Sequence, residues 1–401
     1  FAVVGKLALL SQGFGSGSIE GRETKAHMGR ALPSEQPPDG AVAQGAASVE
    51  KEDGRGDVRS PLHRNCRHPL HSFPGSDRAD RARNFDRLPA RAESTVRAAV
   101  WGLSRHSAGM MARFATNSTT IRVRYRLSSG NLAMSHMPAT GVSGVDLYAD
   151  NGEGEMKWVN VTRPTSQEVN AVLASRIDRL PENRKRACQL YLPLYNGVES
   201  LEVGVDRDSD FEPLLPRKEK PIVFYGTSIM HGACASRPGM CISSLVGRKL
   251  NRPVINLGFS GNGKMEAEVG KLICELNPAV IAVDCLPNMN AVLVRERTEK
   301  LVNLIRKAHP KVPLLLVEDR SFTNAPFFKS RRDHHAASRR ELRLAYQRIQ
   351  EQKIPGIHYL SGEQLLGTDG EGATDGSHPN DLGMVRYAEA YEKALRQLIP
   401  G

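Results

Sequence analysis

The second half of the chain alternates short apolar runs with longer amphipathic stretches, and this alternation limits the possible fold more than any other feature. The apolar runs have the length of buried strands and lie at residues 222–225, 254–257, 279–285, 313–317 and 357–360. Stretches of helical length lie between or after them, at residues 240–250, 264–276, 293–308, 333–352 and 382–398. Strands that alternate with helices form a parallel sheet covered by helices on both faces. We therefore expect residues 220–401 to form a three-layer α/β/α domain with a five-stranded parallel sheet.

Residues 96–215 have a different pattern, because short β-rich segments follow one another with no helical period between them. Residues 119–127 alternate apolar and basic side chains, as a half-buried strand does. Turn sequences such as Ser129-Gly130-Asn131 separate the segments. The pattern predicts a β-sandwich or jelly-roll domain, followed by a linker at residues 206–220. Its predicted strands lie at residues 110–115, 119–127, 144–148, 156–161, 187–192 and 198–205.

The first 95 residues predict no folded domain. They are rich in Gly, Pro, Ser, Ala and mixed charge, and such a segment cannot bury enough apolar surface to offset the entropy lost on ordering. We expect residues 1–95 to be disordered, or to be an upstream segment without activity. Residues 1–10 resemble the apolar part of a signal peptide, but Lys6 interrupts them and no clear cleavage site follows. The compartment is therefore left open, with a periplasmic or secreted location favoured.

The distribution of charge argues against nucleic acid as a partner. The formal net charge is +11, but the basic residues are scattered among acidic ones, whereas a nucleic-acid-binding domain clusters them on one face. No apolar run approaches the ~20 residues that a membrane helix needs, so we expect no membrane insertion. The sequence leaves the oligomeric state open.

Cysteine and histidine spacing predicts neither a metal site nor a cofactor. The six cysteines include no CxxC pair, and no two histidines have the spacing of a zinc protease. Cys234 and Cys241 flank a Pro-Gly loop, and they could form a disulfide or remain free thiols.

A serine, a histidine and an aspartate stand where loops leave the predicted parallel sheet. Ser228 follows the first strand at a Gly-Thr-Ser turn, whereas Asp375 and His378 lie between the fifth strand and the last helix. Ligands bind at the carboxyl edge of such sheets. A serine becomes a nucleophile when an imidazole takes its proton and a carboxylate orients that imidazole. We predict that these three residues form a triad; the alternative is that each motif is an ordinary turn.

Two further loops are expected at the same edge of the sheet. The loop after the second strand contains Gly261, whose lack of a Cβ lets a backbone N–H approach a ligand closely. The loop after the third strand contains Asn288, whose side chain can donate a hydrogen bond. With the backbone N–H of Ser228, these groups could stabilise an oxyanion. For each loop the alternative is a plain turn.

Four sequence blocks, taken in chain order, resemble those of the SGNH (GDSL-type) hydrolase superfamily. They are Gly-Thr-Ser, Phe-Ser-Gly-Asn-Gly, Cys-Leu-Pro-Asn-Met and Asp-Gly-Ser-His-Pro. The resemblance covers residues 221–401 and implies a flavodoxin-like α/β/α fold. The roles that it implies are nucleophile and first oxyanion donor for Ser228, further oxyanion donors for Gly261 and Asn288, and triad partners for Asp375 and His378.

The block around the nucleophile, GTSIMHGACASRPG, resembles a subgroup that carries an N-terminal β-domain. Thr227 departs from the aspartate that the family often has there, but that aspartate is not the triad acid. Arg237 lies in the loop after the nucleophile and could contact substrate, although a structural role is favoured. The match places His106 and His136 in the β-domain, where each could face the active-site cleft; a structural or solvated role is favoured for both.

Together these observations predict a serine ester hydrolase that cleaves a small O-acyl ester, an acetyl group on a carbohydrate being favoured, through an acyl-enzyme. The expectation of a carbohydrate substrate comes from the β-domain, because such modules commonly flank polysaccharide esterases of the superfamily. This argument is an association between domains and does not follow from the site's chemistry. An acyltransferase with the same machinery is the alternative, since the sequence does not show how well the cleft excludes water. A glycan-binding protein without catalysis ranks third, because few aromatic residues besides Trp101 and Trp158 are available to bind sugar rings.

Overall fold

Three sheets organise residues 85–399, the part of the chain that the computed structural model describes. Residues 1–84, which include the stretch resembling a signal peptide, lie outside the described residues. The first eight strands are β1 (Met111–Thr116), β2 (Ile121–Leu127), β3 (Asp146–Asp150), β4 (Met156–Val161), β5 (Glu168–Ala174), β6 (Arg186–Tyr191), β7 (Val198–Val205) and β8 (Phe211–Pro213). The last five are β9 (Ile222–Gly226), β10 (Val254–Gly258), β11 (Val280–Asp284), β12 (Leu314–Val317) and β13 (Ile357–Leu360).

Eight α-helices accompany these strands in the described part of the chain. They are α1 (Ala98–Ser104), α2 (Ala139–Val142), α3 (Ser228–His231), α4 (Ile242–Lys249), α5 (Ala267–Cys274), α6 (Ala291–Ala308), α7 (Lys329–Glu351) and α8 (Asp381–Arg396). Two of the three long helices, α6 and α8, each begin at an Asn whose side chain accepts a hydrogen bond from a backbone N–H of the first turn. An Asn in this position satisfies one of the donors that a helix start leaves unpaired.

The first eight strands form a β-sandwich. One antiparallel sheet has the strand order β4-β3-β6-β1-β8 and the other has the order β5-β2-β7. Along β2 the apolar residues are buried and the three arginines between them are exposed, as the alternation predicted. The buried face of β2 packs with Phe114 of β1, Leu147 of β3 and Leu190 of β6 in one apolar core. The predicted antiparallel β-rich fold is confirmed.

Two strands of the sandwich were not predicted. β5 contains Glu168 and Asn170, which break the apolar pattern, and it is recruited by antiparallel pairing with β2. β8 lies in the segment expected to be a linker and contains Pro213. It pairs only with β1, at the edge of its sheet. Proline has no backbone N–H to donate, and a strand at the edge of a sheet tolerates this loss.

The last five strands form a parallel sheet in the order β10-β9-β11-β12-β13. Helices α4 and α8 cover one face, and α5, α6 and α7 cover the other. Within β9, Ile222 and Phe224 face the first layer, whereas Val223 and Tyr225 face the second, and all four are fully buried. Burial on both faces explains why the strand reads as an unbroken apolar run. The predicted three-layer α/β/α fold is confirmed.

Residues 85–95 are folded, which corrects the expectation that residues 1–95 have no structure. A 3₁₀ helix spans Ala90–Ser94, and Leu88 and Ala92 join the apolar cluster between the parallel sheet and α5–α7. The segment is too poor in apolar residues to form a core of its own. It becomes ordered by covering an apolar face that the α/β/α part supplies, which the local sequence does not reveal.

Arg87 fixes this segment to the parallel sheet. Its side chain is buried and donates hydrogen bonds to the backbone carbonyls of Asn256 (3.1 Å) and Gly258 (2.8 Å) at the end of β10. It also donates to the carbonyls of Leu103 (2.7 Å) and His106 (2.9 Å). Burial lowers the pKa of Arg87 to about 9, so the guanidinium remains charged at neutral pH. Arg87 therefore fixes the backbone at the start of the loop that carries Gly261.

Asp146 joins the β-sandwich to the loop that follows α3. Its Oδ2 accepts hydrogen bonds from Nη1 of Arg237 (3.0 Å) and from the backbone N–H of Gly239 (2.7 Å). Its Oδ1 accepts one from Nε1 of Trp158 (2.9 Å). Burial raises the pKa of the Asp146 carboxyl, and the charge of Arg237 opposes that rise. The Arg237 guanidinium also donates to the Tyr148 hydroxyl, so these contacts favour its structural alternative over substrate contact.

Replacing Asp146 with Ala should lower the free energy of unfolding by about 2–4 kcal/mol, because Arg237 and the N–H of Gly239 lose a buried acceptor. Urea unfolding followed by circular dichroism measures the change. As a matched control, Glu199→Ala removes an exposed partner of Arg126 and should have a much smaller effect. Equal effects of the two substitutions would contradict the role given to Asp146.

Candidate active site

A tight turn between β9 and α3 presents Ser228 at the carboxyl edge of the parallel sheet. The end of β9 packs so closely against α3 that a Cβ on Gly226 would lie 2.7 Å from the Cβ of Met230. The Thr227 hydroxyl accepts a hydrogen bond from the backbone N–H of Ile229 (3.4 Å) and so caps the start of α3. Ser228 itself is 6% exposed. The residue that often is aspartate in the SGNH motif is thus a helix cap in this chain.

Ser228, His378 and Asp375 are hydrogen-bonded in series, although 150 positions separate the serine from the histidine. The Ser228 Oγ lies 2.9 Å from His378 Nε2, and His378 Nδ1 lies 2.7 Å from Asp375 Oδ2. An ionised carboxylate can only accept hydrogen bonds, so the proton between the last two atoms belongs to Nδ1. This leaves Nε2 of the neutral ring as an acceptor that faces the serine hydroxyl.

The loop around His378 keeps Asp375 ionised. Its Oδ1 accepts hydrogen bonds from the backbone N–H groups of Ser377 (2.9 Å) and His378 (2.8 Å). Partial burial raises the pKa of Asp375, but the bonds from the His378 ring and from these two N–H groups outweigh it and lower the pKa to about 2. A carboxylate that is charged at neutral pH can stabilise an imidazolium beside it.

The loops with Gly261 and Asn288 meet beside the turn that carries Ser228. Gly261 has a φ of +68°, a backbone conformation that glycine adopts without strain. A Cβ on Gly263 would lie 2.1 Å from the backbone oxygen of Gly226, so only glycine lets the two loops pack this closely. Asn288 Oδ1 accepts a hydrogen bond from the N–H of Gly263 (3.2 Å). Its Nδ2 is therefore the group available to donate elsewhere.

Arg320, which the sequence reasoning missed, supports the His378 loop. Its guanidinium donates to the backbone oxygen (Nε, 3.2 Å) and to the hydroxyl of Ser377, and it is ion-paired with Asp319. Both charged side chains are almost fully buried. Thr323 adds a backbone hydrogen bond to the oxygen of Gly376 (2.9 Å). The charged run Glu318-Asp319-Arg320 directly after the apolar strand β12 is the signal that could have revealed this support.

Asp284 is a buried carboxyl at the end of β11, just before the loop with Asn288. Its Oδ2 accepts a hydrogen bond from the hydroxyl of Tyr391 (2.9 Å) on α8. Burial raises the pKa of Asp284 to about 7, although the bond from Tyr391 opposes the rise. Asp284 lies in the third predicted strand, and no role is predicted for it from the sequence.

Replacing Asp284 with Asn should stabilise the protein increasingly as the pH rises from about 4 to about 7. A carboxyl whose pKa is raised by folding contributes stability below its unfolded pKa of 3.8, and that contribution is lost as the pH rises through about 7. The free energy of unfolding of the variant, relative to the original protein, should rise by at most about 1.4 kcal/mol per pH unit. Urea unfolding at several pH values tests this. The exposed Asp208→Asn should show no comparable trend, and a flat profile for both would refute the assignment.

The two histidines assigned to the β-domain lie in different surroundings. The His106 ring lies 5.3 Å from that of His231 and 5.9 Å from that of Tyr195. His136 is exposed, as a solvated histidine is, but its ring centroid lies 6.1 Å from that of His378. Of the two, it is His136 that the structure brings to the triad.

The remaining chemistry-bearing residues that the structure describes are cysteines and further His, Asp and Glu side chains. Cys234 and Cys241 are free thiols, so the disulfide alternative is not adopted. Between residues 85 and 399, no three His, Cys, Asp or Glu side chains are grouped so that they could hold a metal ion. In the same part of the chain, no helix combines the length and apolar character needed to cross a membrane.

Comparisons with known proteins identify the family and the fold of the chain. Residues 219–396 match the model of the GDSL-like Lipase/Acylhydrolase family, and residues 69–211 match a model described as the N-terminus of Esterase_SGNH_hydro-type. A crystal structure from Bacteroides ovatus, described as a GDSL-like lipase, is 30% identical with a TM-score of 0.74 over 79% of this chain and 92% of that one. The chain belongs to the GDSL-like lipase/acylhydrolase family. It is therefore an SGNH-type carboxylic ester hydrolase, as the sequence predicted.

Other solved structures share the fold at lower identity. The salicylyl-acyltransferase SsfX3 from a tetracycline biosynthetic pathway is 20% identical, with a TM-score of 0.60 over 77% of this chain and 88% of that one. A family two carbohydrate esterase from Clostridium thermocellum, solved with cellohexaose, is 12% identical with a TM-score of 0.53 over 72% of this chain and 92% of that one. No curated protein sequence matches the chain.

Proposed function

We propose that this hydrolase removes a small O-acyl group, an acetyl group on a carbohydrate being the favoured substrate, through an acyl-enzyme on Ser228. The observation that carries the proposal is the distance of 2.9 Å from Ser228 Oγ to His378 Nε2. The ionised Asp375 completes the series at 2.7 Å from Nδ1 of the same ring. A hydroxyl within hydrogen-bond distance of a neutral, oriented imidazole is ready to lose its proton to that ring.

The reaction proceeds in two steps that use the same groups. His378 takes the proton of Ser228 while Oγ attacks the ester carbonyl carbon, and Asp375 stabilises the imidazolium that forms. The leaving alcohol then receives this proton as its bond to the acyl carbon breaks, and Ser228 stays acylated. Next, a water molecule loses a proton to His378 and attacks the acyl carbon. The carboxylic acid departs, and Ser228 recovers its proton.

The negative charge of each tetrahedral intermediate requires hydrogen-bond donors. We assign this role to the backbone N–H groups of Ser228 and Gly261 and to Nδ2 of Asn288. The left-handed backbone of Gly261 and the bond from Gly263 to Asn288 Oδ1 support the assignment, because they fix both loops beside the nucleophile turn. Donors that are fixed in advance stabilise an oxyanion without reorganisation during the reaction.

The carbohydrate part of the proposal has two supports. The β-sandwich precedes the hydrolase fold, as in esterases that act on polysaccharides. The second support is the fold shared with the Clostridium thermocellum carbohydrate esterase, whose structure contains cellohexaose. An acyltransferase is the second candidate, because SsfX3 has the same fold. Product analysis with a sugar acceptor present separates the two, since transfer yields an acylated sugar and hydrolysis yields free acid.

Ser228→Ala should lower kcat/KM for p-nitrophenyl acetate by about 10⁴–10⁶-fold, because the acyl-enzyme cannot form. Release of p-nitrophenol measures the rate, and a fluorophosphonate probe followed by peptide mapping should label Ser228. The exposed Ser166→Ala serves as a matched control and should keep the original rate. Equal rates for the original protein and Ser228→Ala, or a label on another residue, would overturn the proposal.

Asn288→Ala should lower kcat by about 10²–10³-fold, as expected when one oxyanion donor is lost. Asn288→Asp is the sharper variant, because its carboxylate still accepts the hydrogen bond of Gly263 but has no N–H to donate. It should be at least as impaired as the Ala variant. If Asn288→Asp kept most of the activity, Asn288 would act only by holding Gly263, and the donor assignment would be wrong.

A further inference from the structure

We propose that His136 contacts the alcohol part of the substrate, so that the β-sandwich supplies a specificity-determining residue to the active site. The inference rests on the proposed function, in which His378 passes a proton to the leaving alcohol. It adds a residue that neither the triad nor the oxyanion donors include.

A short anchored turn holds His136 in place. Met134 and Met137 pair through two backbone hydrogen bonds, of 2.9 and 3.1 Å, so His136 lies in the two-residue tip between them. Met137 is 2% exposed and belongs to the same apolar cluster as Ile229, the residue after the nucleophile. Thr140 donates a hydrogen bond to the backbone oxygen of Ser236 (2.6 Å). An exposed imidazole therefore stands on a turn that is fixed against the nucleophile segment.

The neighbour of His136 indicates which part of the substrate it can touch. Its ring centroid lies 6.1 Å from that of His378, with 34° between the ring planes. The leaving oxygen must come within hydrogen-bond distance of His378 Nε2 to receive the proton. The carbonyl oxygen points instead to the donors assigned on the loops of Gly261 and Asn288. A residue beside His378 therefore faces the alcohol part and not the acyl oxygen.

The chemistry of imidazole fits a polyhydroxylated alcohol. One ring nitrogen of neutral His136 donates a hydrogen bond and the other accepts one, so the ring can bind a sugar hydroxyl in either direction. A simple alkyl alcohol offers no such second hydroxyl. We therefore expect His136 to favour acetylated sugars over acetates of simple alcohols, through a hydrogen bond worth about a tenfold difference in kcat/KM.

The test compares two ratios of kcat/KM in the full-length protein. The first ratio, acetylated methyl glucoside over ethyl acetate, varies only the alcohol and should fall about tenfold in His136→Ala. The second, p-nitrophenyl acetate over p-nitrophenyl butyrate, varies only the acyl group and should not change. His136→Gln keeps a donor and an acceptor and should recover part of the first ratio, whereas His136→Phe, a ring without polar atoms, should resemble the Ala variant.

His334→Ala is the matched control, since His334 is an exposed histidine on α7, and both of its ratios should equal the original ones. The inference is overturned if His136→Ala leaves the first ratio unchanged, changes all substrates by one factor, or alters the acyl ratio. A first ratio for His136→Phe equal to that of the original protein would also overturn it. Failure of the proposed function looks different: the original protein would then cleave none of these esters faster than Ser228→Ala.

Discussion

The parallel pairing of β9 with β10 and β11 is the constraint on which the site depends. Gly226 of β9 is in register with Gly258 on one side and with Asp284 on the other, so three strands end at the same level. The loops that follow them therefore begin side by side. A Cβ on Gly258 would lie 2.2 Å from the backbone nitrogen of His231, which shows how closely the nucleophile segment packs against the next strand. Glycines at two of these strand ends let the Ser228 segment lie close to the loops that carry the assigned oxyanion donors.

Around this edge, buried charged groups hold the loops through their backbones. Arg87 binds the carbonyls at the end of β10, and Arg320 binds Ser377 in the loop of His378. A buried guanidinium is costly unless its donors are paired, and here backbone oxygens or a carboxylate pair them. Each arginine can bind several acceptors at once because its donors form a rigid fork. The loops thus gain fixed positions without regular secondary structure of their own.

The sequence predicts the α/β/α part well because its strands are buried on both faces and its helices are amphipathic. The meeting of Ser228, His378 and Asp375 could also be anticipated, since they lie in short motifs whose chemistry is local; their catalytic roles stay a prediction. Residues 85–95 and β5 could not be predicted, because their structure depends on contacts with distant parts of the chain. Residues 85–95 pack on the cluster beside the parallel sheet, and β5 pairs with β2. His136 is a related case, because the family resemblance allowed it to face the cleft but a structural or solvated role was favoured. Nothing in the sequence around it shows that a turn of the β-sandwich ends beside a histidine more than 200 positions later.

Met137, Val142 and Leu194 belong to the β-rich half, yet they lie in the same apolar cluster as Ile229 and Met230, which directly follow Ser228. Because this core is common to both halves, neither half can be exchanged for a homologous module without leaving unmatched surfaces under the active serine. A substitution in this shared core therefore alters the packing of both halves at once. The sandwich is packed as part of the hydrolase, and it differs in this from an appended module on a tether.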